Sequence, residues 1–109
     1  MNVLFLCTQN RMRSPTAEQV FAAWPGVVTD SAGLHASAAV VLSPEQIEWA
    51  DLIVVMEERH RTQLSKGYRA HLKGKRVVCI DVPDKFPFMD PNLVAQLEVK
   101  VGPYLRGDG

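Results

Sequence analysis

Three short apolar runs rich in branched residues punctuate the chain: Val3 to Leu6, Leu52 to Met56 and Val77 to Ile80. Continuous rather than alternating apolar character predicts strands buried on both faces. A weaker run, Val27-Val28-Thr29, predicts a fourth strand, and the Asp30-Ser31-Ala32-Gly33 that follows reads as a turn. Helical patterns lie between. Ser14 to Trp24 has a cap residue, proline at the first helical position and a closing Pro25-Gly26. Ser43-Pro44-Glu45-Gln46 is a capping-box start to a helix through Trp49. Glu57 to Leu72 reads as a charged helix interrupted by Gly67, Lys73-Gly74-Lys75 turns into the last strand, and a final helix starts at Asp90-Pro91. His35 to Leu42 is ambiguous between the two periods. Strands alternating with helices predict a three-layer α/β fold, a four-stranded parallel sheet with helices on both faces.

With 109 residues the chain is expected to form one domain, residues 1–109, with an apolar core that needs neither disulfides nor a structural metal. Lys plus Arg number 12 and Asp plus Glu number 12, so no global field recruits nucleic acid or an anionic membrane. Any anion site must be local. The opening apolar run is too short for a signal-peptide core, no stretch reaches bilayer-spanning length, and Cys7 and Cys79 cannot define a disulfide framework. These features predict a cytoplasmic protein.

Candidate chemistry begins where the first strand meets the first helix. In Cys7-Thr8-Gln9-Asn10-Arg11-Met12-Arg13-Ser14, five residues separate a cysteine from an arginine. Ligands of parallel sheets sit beyond the carboxyl ends of strands, where loops lead into helix N-termini. Unpaired backbone N–H groups and the positive end of the helix dipole favour phosphate there. Thr8 to Ser14 is therefore the candidate phosphate-binding loop. Arg13 adds a planar fork of donors for two phosphate oxygens. The same field favours thiolate over thiol, which makes Cys7 the candidate nucleophile. Two roles are open to Ser14: donor to the sulfur, or simple helix cap. Asn10 tolerates left-handed backbone geometry and fits a role in shaping the loop. The bare spacing is weakly specific; its position between a buried strand and a capped helix makes it a much rarer pattern.

Leu6-Cys7 followed by Asn10, Arg13-Ser14-Pro15 and Ala17-Glu18 resembles the phosphate loop of the low-molecular-weight protein tyrosine phosphatases. Ser31-Ala32-Gly33 and Ala50 to Met56 resemble that family's second-strand turn and third strand. Gln9 stands where the family has glycine, Met12 where it has a second loop cysteine, and the chain is shorter between Gly33 and Asp51. The resemblance implies a metal-free phosphatase without cofactors that passes through a phosphocysteine. Its partners would be phosphorylated proteins, above all phosphotyrosine, or small phosphate monoesters. Two rivals share the fold: a non-catalytic phosphate-binding or phosphoprotein-binding module, and an arsenate reductase. The second needs two further cysteines, and only Cys79 remains.

A departing ester oxygen needs a proton, which a positioned carboxylic acid can supply. In Val82 to Pro91 the family's Asp-Pro-aromatic signature is split: Asp84 lacks the proline and Asp90 lacks the aromatic. Position relative to the last strand favours Asp84, with Asp90 the alternative acid and a natural helix cap. Phe86 and Phe88 are candidates for the wall against which a phenyl ring packs, or for ordinary core. His35, His60 and His71 lack metal-ligand spacing and are expected on solvated faces. Cys79 is expected to be an inert core thiol, Trp24 and Trp49 packing residues, and Arg59, Arg61, Lys66 and Arg69 a solvated face.

Overall fold

The apolar runs form the sheet. In the computed structural model, which describes residues 1–107, the order is β1 (Asn2–Cys7), α1 (Arg13–Ala22), β2 (Val28–Gly33), α2 (Pro44–Trp49), β3 (Leu52–Val55), α3 (Glu58–Tyr68), β4 (Arg76–Cys79) and α4 (Pro91–Leu105). A 3-10 turn, Arg69–His71, extends α3. The four strands are all parallel in the order β2-β1-β3-β4.

Alternate side chains of each strand enter different cores, as the strand period of two requires. Val3, Phe5, Leu52 and Val54 pack with Ala17 and Phe21 of α1 and Leu93, Leu97 and Val101 of α4. Leu4, Leu6, Ile53 and Val55 pack with Ile47 of α2 and Leu64 of α3 on the opposite face. Both faces of β1 and β3 are thus dry, which is why these strands are apolar throughout. Phe5 stacks on Phe21 with ring centroids 5.7 Å apart, and Trp24 meets Phe21 edge-on at 5.0 Å.

Two expectations change. The presumed turn at Asp30 to Gly33 is the last four residues of the six-residue β2. Its polar residues are matched by partners: Asp30 Oδ1 accepts from the Ser31 N–H at 2.9 Å, and Asp30 Oδ2 accepts from Gln46 Nε2 at 3.0 Å. Helix α1 starts at Arg13 behind Met12, which makes no side-chain cap, so Ser14 lies inside the helix rather than before it. The expected capping box at Ser43 and Gln46 forms, and Asp90 caps α4 with its side chain accepting from the Asn92 N–H. No helix among the described residues is long and apolar enough to cross a membrane.

The chain steps from β1 to β2 on one side of β1 and then to β3 on the other. Beyond the carboxyl ends of β1 and β3 lies the switch point of the sheet, where such folds leave a crevice for ligands. Cys7 ends β1, and Glu57 follows β3 by two residues.

Candidate active site

The loop from Thr8 to Met12 wraps the Cys7 sulfur. Asn10 takes φ of 55°, a left-handed conformation that asparagine tolerates, and this directs its backbone N–H at Cys7 Sγ, 3.3 Å away. The Asn10 amide donates to Ser14 Oγ and to Ser31 Oγ, both at 2.9 Å, tying the loop to α1 and β2. Ser31 in turn donates to the Glu18 carboxylate. Ser14 Oγ, which accepts from Asn10, lies 2.9 Å from Cys7 Sγ and 3.5 Å from the Ala32 carbonyl, so its hydrogen has the sulfur as its nearer partner. Of the two roles open to Ser14, the helix cap is ruled out by its place inside α1, and its hydroxyl sits beside the sulfur.

Segment 34–39 buttresses the loop from outside. Leu34, His35 and Ala39 N–H groups donate to the carbonyls of Cys7, Thr8 and Gln9 at 3.0, 3.1 and 3.0 Å. Gly33 makes that approach possible, because a Cβ there would sit 2.7 Å from the Thr8 carbonyl oxygen and 3.1 Å from the Asn10 nitrogen. Gln9 Oε1 accepts from the Ser37 hydroxyl at 2.8 Å, and Arg11 Nη2 donates to the Ser37 carbonyl at 3.3 Å.

Arg13 is 2 % exposed, and its Nη1 donates to Glu57 Oε2 at 2.5 Å and to the Val82 carbonyl at 2.8 Å. Its Nε lies 3.8 Å from Asp84 Oδ1. The hydrogen bond from Arg13, reinforced by one from Arg59, outweighs burial and holds the Glu57 carboxyl at about 2. Among the described residues the Arg13 hydrogen bonds all run from Nη1, which leaves the rest of its fork for a cavity of 240 Å³ lined by Cys7, Thr8, Gln9, Arg11, Met12, Arg13 and Asp84.

The structure therefore brings Cys7, the loop, Arg13 and Asp84 to one cavity. Asp90 is elsewhere, spent on the cap of α4. The lining includes neither Phe86 nor Phe88. Phe86 packs against the core under α1 and α4, and Phe88 lies exposed beside Pro15, Glu18 and Gln19. Met12, 41 % exposed, supplies the apolar rim instead. Among the described residues no three His, Cys, Asp or Glu side chains cluster as metal ligands would.

Three contributors were not anticipated: Glu57, Ser31 and His60. His60 corrects the expectation of a solvated histidine, being fully buried in the first turn of α3. Its Nδ1 accepts from the Glu57 N–H at 3.1 Å and its Nε2 lies 2.9 Å from Thr8 Oγ1. Burial, aided by the charges of Arg13 and Arg59, pushes it down to about 4, so it is neutral near pH 7. The sequence signal was available: a carboxylate directly beyond a buried parallel strand, with a histidine three positions on, where a capping partner belongs.

No protein-family model and no curated protein matches the chain. Solved structures do. The low-molecular-weight protein tyrosine phosphatase of T. tengcongensis superposes with a TM-score of 0.81 at 21% identity, over 98% of this chain and 99% of that one. The tyrosine phosphatase Wzb of Escherichia coli K30, in complex with phosphate, gives 0.77 at 20%, over 99% and 98%. A cysteine-to-serine mutant of YwlE arginine phosphatase with a phosphorylated active-site serine gives 0.75 at 20%, over 99% and 97%. The chain has the fold of the low-molecular-weight protein tyrosine phosphatases.

Proposed function

We propose that this protein is a cysteine-dependent phosphatase that hydrolyses phosphate monoesters of the phosphotyrosine type through a phosphocysteine. The observation that carries the reading is the convergence of donors on one sulfur at the mouth of one cavity. Ser14 and the Asn10 N–H point at Cys7 Sγ, while the open edge of Arg13 and the carboxylate of Asp84 face the same space. A binding module needs the arginine and the loop, not a nucleophile so attended. The structural neighbours named as phosphatases, one with phosphate bound and one phosphorylated at its active-site serine, support the same reading.

In the mechanism, the Cys7 thiolate attacks phosphorus as the ester P–O bond breaks. Loop N–H groups and the Arg13 fork hold the nonbridging oxygens, whose geometry they match best at the transition state. Asp84 protonates the leaving oxygen. Water, deprotonated by the same carboxylate, then attacks the phosphocysteine, and Ser14 stabilises the departing thiolate. Glu57 keeps Arg13 extended into the site. A phenyl ring would lie against Met12, whose thioether suits an aromatic partner.

The test is metal-free hydrolysis of para-nitrophenyl phosphate under reductant by wild type and Cys7→Ser. The reading expects turnover that Cys7→Ser loses. Folded wild type without turnover between about pH 5 and 8 overturns it.

A further inference from the structure

The mechanism leaves one buried titratable group unused, His60, and its hydrogen bonds permit only one arrangement of protons. Nδ1 faces the Glu57 N–H, which can only donate, so Nδ1 carries no hydrogen. A neutral imidazole then bears its proton on Nε2, and full burial beside Arg13 opposes a second proton. Nε2–H consequently donates to Thr8 Oγ1, 2.9 Å away, and the threonine oxygen is the acceptor. That leaves the Thr8 hydroxyl hydrogen to donate elsewhere. Thr8 Oγ1 has no other hydrogen-bond partner among the described residues, yet Thr8 lines the cavity above Cys7.

Building on the phosphatase reading, we propose that the Thr8 hydroxyl is a substrate-binding donor to a phosphoryl oxygen, and that His60 is the positioning residue that aims it. The relay runs from the backbone of α3, through the imidazole, to the hydroxyl and then to the phosphoryl group. Each member donates to the next: Glu57 N–H to Nδ1, Nε2–H to Oγ1, O–H to the anion. No proton is transferred. The benefit is preorganisation: an unaimed hydroxyl would have to be reoriented during reaction, whereas this one is already directed at developing charge. The arrangement also couples the loop after β1 to the start of α3, the same segment that fixes Arg13 through Glu57.

Side-chain reach separates the two functions of His60. Asparagine places its carbonyl near Nδ1 and keeps the cap on the Glu57 N–H, but falls short of Thr8. Glutamine places its amide near Nε2 and keeps a donor to Thr8, but gives up the cap. The experiment measures kcat and KM for para-nitrophenyl phosphate and the dissociation constant of inorganic phosphate. It compares wild type, Thr8→Ser, Thr8→Val, His60→Asn, His60→Gln and the Thr8→Val/His60→Asn double variant.

Thr8→Val and His60→Asn are each expected to lower kcat/KM about ten- to a hundredfold, with the larger part in kcat. The double variant should be no worse than Thr8→Val alone, while Thr8→Ser and His60→Gln recover most of the loss. Losses that multiply in the double variant, or a His60→Asn enzyme with wild-type kinetics, overturn the proposal. So does a fall in melting temperature that accounts for the whole defect. Should wild type bind phosphate without turning over substrate, the phosphatase reading fails on its own, and the same double-variant comparison of phosphate affinity still decides the role of Thr8.

Discussion

Acidification should remove a definable part of the stability through His60. Its ordinary value is 6.5 and the folded protein holds it at about 4, chiefly by burial. Between these values the unfolded chain binds a proton that the folded chain refuses, so stability is complete above 6.5 and is lost as pH falls toward 4. At about 1.4 kcal/mol for each pH unit, wild type loses about 2 kcal/mol from this residue between about pH 7 and 5, and about 3 kcal/mol by about pH 4. That is a sizeable share of the roughly 5–15 kcal/mol typical of small domains. His60→Asn has nothing to titrate there. Urea unfolding followed by the fluorescence of Trp24 and Trp49 reads both proteins at a series of pH values. The variant, less stable near pH 7, should converge on wild type or overtake it by about pH 4.5. Parallel curves for the two proteins would refute the argument that His60 is buried and neutral.

Three further expectations follow from the same contacts. Glu57→Gln leaves Arg13 without its nearest ionic partner and should lower kcat about tenfold or more; because Glu57 is held at about 2 against an ordinary 4.5, wild type should also lose stability between those values, and the variant should not. Gly33→Ala sets a Cβ 2.7 Å from the Thr8 carbonyl and 2.4 Å from the Ala38 Cβ, which should cost about 1–3 kcal/mol in urea unfolding and weaken phosphate binding together. Asp84→Asn should slow phenyl phosphate far more than para-nitrophenyl phosphate, whose leaving group needs no proton, and Asp90→Asn, which keeps an equally good helix cap, should leave both that ratio and the stability nearly unchanged; the reverse pattern would make Asp90 the acid.

What was legible in the sequence was what neighbouring residues decide among themselves. Val3 to Leu6 and Leu52 to Met56 announced doubly buried strands, and Ser43 with Gln46 announced a capping box that forms as written. Cys7 to Ser14 was readable because the candidate nucleophile, the loop and the arginine are contiguous. β2 was missed in part because Asp30 and Ser31 look like turn residues until Gln46, Glu18 and Asn10 supply their partners from elsewhere in the chain. Ser14 looked like a cap because its local context fits one; the nearby sulfur claims it instead. Glu57 and His60 sit in a strongly charged segment, where pattern alone predicts a wet face. Only the strand order, which sets β3 beside β1, carries them under the loop. The distant half of the site is therefore a product of topology.

The central claim is a covalent bond between Cys7 and phosphorus. Rapid acid quench of the enzyme during turnover of a labelled phosphate ester, followed by digestion and mass spectrometry, tests it most directly. Phosphate is expected on the peptide containing Cys7, rising within the first turnover and accumulating when Asp84→Asn slows its hydrolysis. Turnover with no phosphorylated enzyme at any time, or phosphate on another residue, would contradict it.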